Sequence, residues 1–114
     1  MTSVHALEDM QSSPTAALFE GRKRAEVDIS CFVVSSDKVG RGPKLHKHPY
    51  AEVFVVLEGE ATFTAGDEEH VITGGHIVVV PPETPHKFVN TGDDRLRMVT
   101  VHDNGDLVQT DLED

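Results

Sequence analysis

From residue 25 onward, apolar and polar side chains alternate with a period of two, the spacing that puts i and i+2 on one face of a strand. In residues 25–35, Val27, Ile29, Cys31 and Val33 share one face, opposite Asp28, Ser30, Phe32 and Val34. Further β-prone runs follow at 44–58, 61–65, 69–73, 77–80, 85–89 and 95–102. Turn chemistry separates them: Gly40, Gly42 and Pro43, then Glu58-Gly59, Gly66-Asp67, Gly74-Gly75, Pro81-Pro82 and Thr91-Gly92. Residues 13–20 fit either a short helix entered at Ser13-Pro14 or an edge strand; the β character of the rest favours the strand. Arg22-Lys23-Arg24 reads as a solvated turn, and residues 103–114 as an acidic tail with one short edge strand at Leu107-Val108. No segment of ordinary helix length carries the 3.6-residue period. Strands about every eight to twelve residues predict an all-β sandwich or barrel.

The chain has 114 residues, enough for one core. The division expected is an N-terminal arm, partly mobile, over 1–24 and a single barrel domain with its acidic tail over 25–114. A formal net charge of -10 opposes nucleic acid and anionic membranes as partners. The lone cysteine, Cys31, can form no intrachain disulfide and reads as a small buried hydrophobe. No apolar run approaches the ~20 residues of a membrane span. Residues 1–13 lack the basic and apolar blocks of a signal peptide. A cytoplasmic protein is therefore expected.

The chemistry sits in His46-Lys47-His48-Pro49-Tyr50-Ala51-Glu52. His46, His48 and Glu52 have the same strand parity and meet if the chain stays extended through Pro49 and Tyr50. His86, on a later strand, is the fourth candidate. Imidazoles with a carboxylate suit a divalent transition metal: Mn, Fe, Co, Ni, Cu or Zn. A closed tetrahedral site would be structural zinc; an open one would admit water, oxygen or substrate. Parity makes Tyr50, Phe54, Phe88, Met98 and His102 candidates for a pocket around the metal, His102 as a group behind the ligands. His5, His70 and His76 read as surface residues.

The spacing of these residues resembles the two-part motif of the cupin superfamily. The first part runs Gly40, five residues, His46-x-His48, three residues, Glu52, six residues, Gly59. The second runs Gly75, five residues, Pro81, four residues, His86, three residues, Asn90. One position departs: Glu83 stands where the family usually has glycine. The resemblance covers residues 27–102 and implies a double-stranded β-helix, or jelly-roll barrel. It implies a metal held by His46, His48, Glu52 and His86, with Gly40, Gly59 and Gly75 at chain reversals and Asn90 bonded to the turn after it. It further implies a homodimer through swapped or paired edge strands, and a small-molecule ligand or substrate. A metal-dependent enzyme of oxygenase or isomerase type leads; a non-catalytic barrel binding a sugar or metabolite, or a purely structural metal, are the alternatives.

Overall fold

The computed structural model describes residues 2–114. Among the described residues, eleven strands form two antiparallel sheets packed face to face. The strands are β1 (Gln11–Ser13), β2 (Ala16–Glu20), β3 (Ser30–Ser36), β4 (His46–Lys47), β5 (Glu52–Glu58), β6 (Glu60–Ala65), β7 (Glu68–Thr73), β8 (His76–Val80), β9 (His86–Asn90), β10 (Leu96–His102) and β11 (Thr110–Asp111). The six-stranded sheet has the order β1-β2-β3-β10-β5-β8, and the five-stranded sheet β11-β4-β9-β6-β7. This is a jelly roll. Alternation decides what goes inside: Val34, Phe54, Val56, Leu96 and Met98 from one sheet meet Ala61 and Phe63 from the other, all buried. Among the described residues no helix is long and apolar enough to cross a membrane.

Several boundaries differ from those the pattern suggests. The first strong strand starts at Ser30, not near residue 25. Residues Gly21–Ala25 instead form one helical turn, α1, and Val27 and Ile29 are exposed. Three contacts, one of them between residues 84 apart, override the alternation. A Cβ on Gly21 would lie 2.0 Å from the Ile29 carbonyl oxygen, so only glycine lets these backbones touch. Arg22 pairs with both Asp28 and Asp106, so the basic run is tethered rather than a free turn.

The division at residue 24 does not follow the sheet either. β2 pairs with β3 along its whole length, from Ala16↔Val34 to Glu20↔Ser30. Leu7–Met10 form a 3-10 turn, Met10 is buried, and His5 packs edge-on against Phe19. Residues 11–20 are thus part of the six-stranded sheet, while Met1 lies outside the described residues. The strand expected at Leu107-Val108 falls three residues later, as β11, where Thr110 pairs with Lys47 of β4.

The turns behave as their residues require. Gly40, Gly59 and Gly75 have φ of 83°, 91° and 92°. Asn90 accepts from the Gly92 N–H and donates to the carbonyls of Ser36 and Asp94. Glu83, in the position of a missing glycine, takes a left-handed φ of 62°. Its N–H donates to the His48 carbonyl and its carboxylate pairs with Lys47, so the turn keeps its shape despite the Cβ.

Gly59 and Glu83 should respond unequally to exchange. Gly59→Ala adds a Cβ 2.4 Å from the Arg95 carbonyl oxygen at a positive φ and should cost about 2–3 kcal/mol. Glu83→Gly relieves left-handed strain but loosens the unfolded chain, so its change should stay within about 1 kcal/mol. Denaturant unfolding of both variants measures this; equal losses would refute the assignment.

Candidate metal centre

Two cross-strand pairs face each other inside the barrel. His46 of β4 lies opposite His86 of β9 in the five-stranded sheet. Glu52 of β5 lies opposite His102 of β10 in the six-stranded sheet. His48 sits between β4 and β5, where Pro49, Tyr50 and Ala51 carry the chain from one sheet to the other. The residues do not meet through shared parity on one extended strand, as the spacing suggested. They meet because the chain changes sheets between the histidines and the carboxylate. One ligand atom each from His46, His48, Glu52 and His86 lies within 4.8 Å of the others, and all four residues are buried.

Backbone carbonyls fix the orientation of the rings. Nδ1–H of His46 donates to Lys44 O at 2.6 Å, that of His48 to Val108 O at 2.8 Å, and that of His86 to Thr84 O at 2.8 Å. A carbonyl can only accept, so in each neutral ring the proton is on Nδ1 and the Nε2 lone pair faces inward. Glu52 Oε1 lies 3.0 Å from His86 Nε2 and 3.2 Å from His48 Nε2. Lone pairs therefore face lone pairs, and the buried Nε2 of His48 has no hydrogen-bond partner. Only a proton or a cation between these atoms satisfies them.

His102 has the opposite tautomer. The Val108 N–H donates to Tyr50 Oη at 3.3 Å, which leaves the tyrosine O–H to donate to His102 Nδ1 at 2.8 Å. The imidazole proton of His102 is then on Nε2, 2.9 Å from Glu52 Oε2. That N–H lies close to the oxygen but is too poorly aligned to form a hydrogen bond. Burial pushes the Tyr50 hydroxyl up to about 12, so it keeps the proton this chain requires. His102 turns an N–H toward the carboxylate, and His46, His48 and His86 present lone pairs.

Burial alone would raise the Glu52 pKa. The surrounding imidazoles, His102 first, outweigh it and hold the carboxyl well below the usual range, hence ionised; at His48 and His86 this requires a proton, or a cation in its place, between ring and carboxylate. Burial lowers the pKa of His46, partly offset by its bond to the Lys44 carbonyl. Three neutral imidazoles and one carboxylate fit a divalent transition metal by number, type and tautomer.

A cavity of about 500 Å³ opens beside this cluster, with His46, His48, Glu52 and His102 on its inner wall. Phe54 and Phe88 also line it. Tyr50 and Met98 do not, contrary to expectation. Tyr50 stacks on His48 at 5.0 Å and supports His102, and Met98 is buried in the apolar core. β10 carries Leu96, Met98, Thr100 and His102 inward, but of these Met98 alone packs in the core without lining the cavity. The sequence reading missed Val108, which holds both His48 and Tyr50, and Thr100 and Leu18 on the cavity wall. Strand parity with His102 was a usable signal for Thr100. Nothing local marked Val108, whose role is played by its backbone.

The family model of the cupin domain matches residues 33–102. An uncharacterized protein of Methanocaldococcus jannaschii is 36% identical over 62 residues, 54% of this chain and 50% of that protein. The polyketide synthase CurC of Streptomyces cyaneus is 36% identical over 55 residues, 47% of this chain and 36% of that protein. The aligned segments thus span half or less of these curated relatives. Among solved structures, the formate complex of Lactobacillus farciminis oxalate decarboxylase superposes with a TM-score of 0.78 at 20% identity, covering 92% of this chain and 34% of that one. At that identity the likeness is one of fold. The family match runs from β3 to the end of β10, more than half of the chain and all four lone-pair and carboxylate donors, and this protein belongs to the cupin superfamily.

Proposed function

We propose that this protein is a metal-dependent enzyme acting on a small organic molecule, of oxygenase or isomerase type. The observation that carries the reading is the convergence of three Nε2 lone pairs and one carboxylate oxygen at the wall of an open cavity. A structural metal site is closed by its ligands; here three of the four ligand residues face space large enough for a substrate. When bound, a divalent metal supplies Lewis acidity and a template for substrate oxygens. The protein's part is to keep His46, His48 and His86 in the tautomer that offers Nε2. Glu52 supplies the charge, and His102 with Tyr50 holds its second oxygen. The phenylalanine walls exclude water from the reacting groups.

Elemental analysis of the purified chain should give close to one transition metal per molecule, and His46→Ala or His48→Ala should abolish it. Loading with Fe(II) under anaerobic conditions and then admitting oxygen with a panel of small substrates should give oxygen uptake or an isomerised product. A loaded protein silent across such a panel would instead be a binding barrel. Acid should release the metal. The native pKa of His46 lies below its ordinary 6.5, so the unfolded chain binds more protons there as pH falls. Stability and metal content should therefore decline together below about pH 6.5.

Tyr50 and His102 should act on the metal without touching it. Tyr50→Phe leaves the Val108 N–H and His102 Nδ1 unpaired and should weaken metal affinity about 10-fold. His102→Leu should lower affinity about 10- to 100-fold, with part restored by His102→Gln, whose amide can still donate. Competition with a chelator reads both; wild-type affinity in His102→Leu would remove it from the site.

The proposal includes a homodimer. On the outer face of the six-stranded sheet, Val33, Val99, Val55 and Ile77 form one continuous cross-strand row. Cys31, Val101, Val53 and Val79 form the next, with Ile77 and Val79 more than 60% exposed. These eight positions carry no charge in a chain of net charge -10, so a second copy meets this face without repulsion. Light scattering should show a dimer and Ile77→Lys a monomer.

A further inference from the structure

Beside the metal ligands, the cavity has three features that the metal does not use. Its body is apolar and aromatic, with Leu18, Phe32, Phe54, Phe88 and Leu96 on the wall. Thr100 interrupts that wall. It lies on β10 directly between Phe32 of β3 and Phe54 of β5, is 2% exposed, and its hydroxyl has no hydrogen-bond partner. A valine would fill the same space with no such unmet group, so folding alone does not account for threonine here. The third feature is charge. Of ten basic residues, Arg22, Lys23, Lys47, Lys87, Arg95 and Arg97 are ion-paired. Lys38 and Arg41 have no acidic partner among the described residues, and both line this cavity. In a chain with twenty acidic residues, two free cations at one opening set a local field that favours anions.

Resting on the metal-enzyme reading above, we infer that the substrate is an organic acid with an aromatic-sized apolar body. Its ring system lies between the phenylalanines, an oxygen along it accepts or donates at the Thr100 hydroxyl, and its anionic end meets Lys38 and Arg41. A very small diacid such as oxalate would fill little of a cavity of about 500 Å³ and leave its apolar wall unused. The substrate class is thereby set apart from that named for the oxalate decarboxylase that shares the fold.

Calorimetric titration of the full chain, with and without added zinc, tests this with three probes: 2-naphthoate, its neutral amide 2-naphthamide, and oxalate. Naphthoate should bind about 10-fold or more tighter than either of the others. The double variant Lys38→Gln/Arg41→Gln should lose the preference for naphthoate over the amide while keeping its metal content. Thr100→Val should raise Tm yet weaken ligands that carry an oxygen in reach of residue 100, read by titrating 3-hydroxy-2-naphthoate and its positional isomers; at least one isomer should lose about 5-fold. No naphthoate binding at millimolar concentration, tighter binding of oxalate, equal binding of the amide, or an unchanged preference in the double variant would each overturn the inference. So would Thr100→Val lowering Tm with every isomer bound as before. A protein that selects naphthoate but never takes up metal would refute the metal reading and leave this inference standing. A metal-loaded protein indifferent to the three probes would do the reverse.

Discussion

The structure depends on one buried carboxylate. Glu52 is 4% exposed and ionised, and an isolated charge in such a place costs several kcal/mol even after relaxation. What lies around it is unusual in one respect: two of its nearest neighbours, His48 and His86, offer lone pairs because their protons are committed to Val108 and Thr84. Electrostatics then demands a positive centre among them. Protons would serve at the cost of burying imidazolium ions; a divalent metal serves with all three rings neutral. The tautomers are set by the backbone, far more rigidly than a side chain could set them. The preference for a cation is therefore built into the fold.

The jelly roll explains how so short a chain places these groups. Each sheet contributes one directly opposed pair, His46 with His86 and Glu52 with His102. Cross-strand registry fixes each pair to the spacing of neighbouring strands. Only His48 is outside a strand, and it is held by stacking on Tyr50 and by the tail. A one-residue slip in β9 or β10 would turn His86 or His102 out of the barrel. The glycine turns and the Asn90 network that pin the strand ends are thus part of what holds the candidate metal centre together.

Much of this was legible in the sequence, because it is carried by local rules. β-prone runs bounded by turn residues located β5, β6, β7, β8, β9 and β10, and Gly40, Gly59 and Gly75 took the positive φ that their positions imply. The four ligand candidates converge. What could not be read is carried by contacts distant in sequence. Alternation at Val27 and Ile29 suggests a strand, yet Gly21 against Ile29 and Arg22 between Asp28 and Asp106 shape that segment instead. Parity put Tyr50 and Met98 near the ligands without saying that one would stand behind a histidine and the other in the core. Charge alone made residues 103–114 read as a solvated tail.

That tail settles the roles of the histidines. At Val108 the chain presents its carbonyl to His48 and its N–H to Tyr50. The carbonyl demands a proton on His48 Nδ1 and so turns the Nε2 lone pair toward the centre. The N–H occupies Tyr50 Oη as an acceptor and so sends the tyrosine proton to His102 Nδ1, which leaves His102 protonated on Nε2. One residue thus makes neighbouring imidazoles chemically unlike, one presenting a lone pair at Nε2 and the other an N–H. Its position depends on the pairing of β11 with β4 and on the Leu112 N–H bound to the Leu45 carbonyl. The strand that carries His46 is therefore the strand that anchors the tail. The charged side chains of that tail are acidic; its backbone decides which imidazole nitrogens face the candidate metal centre.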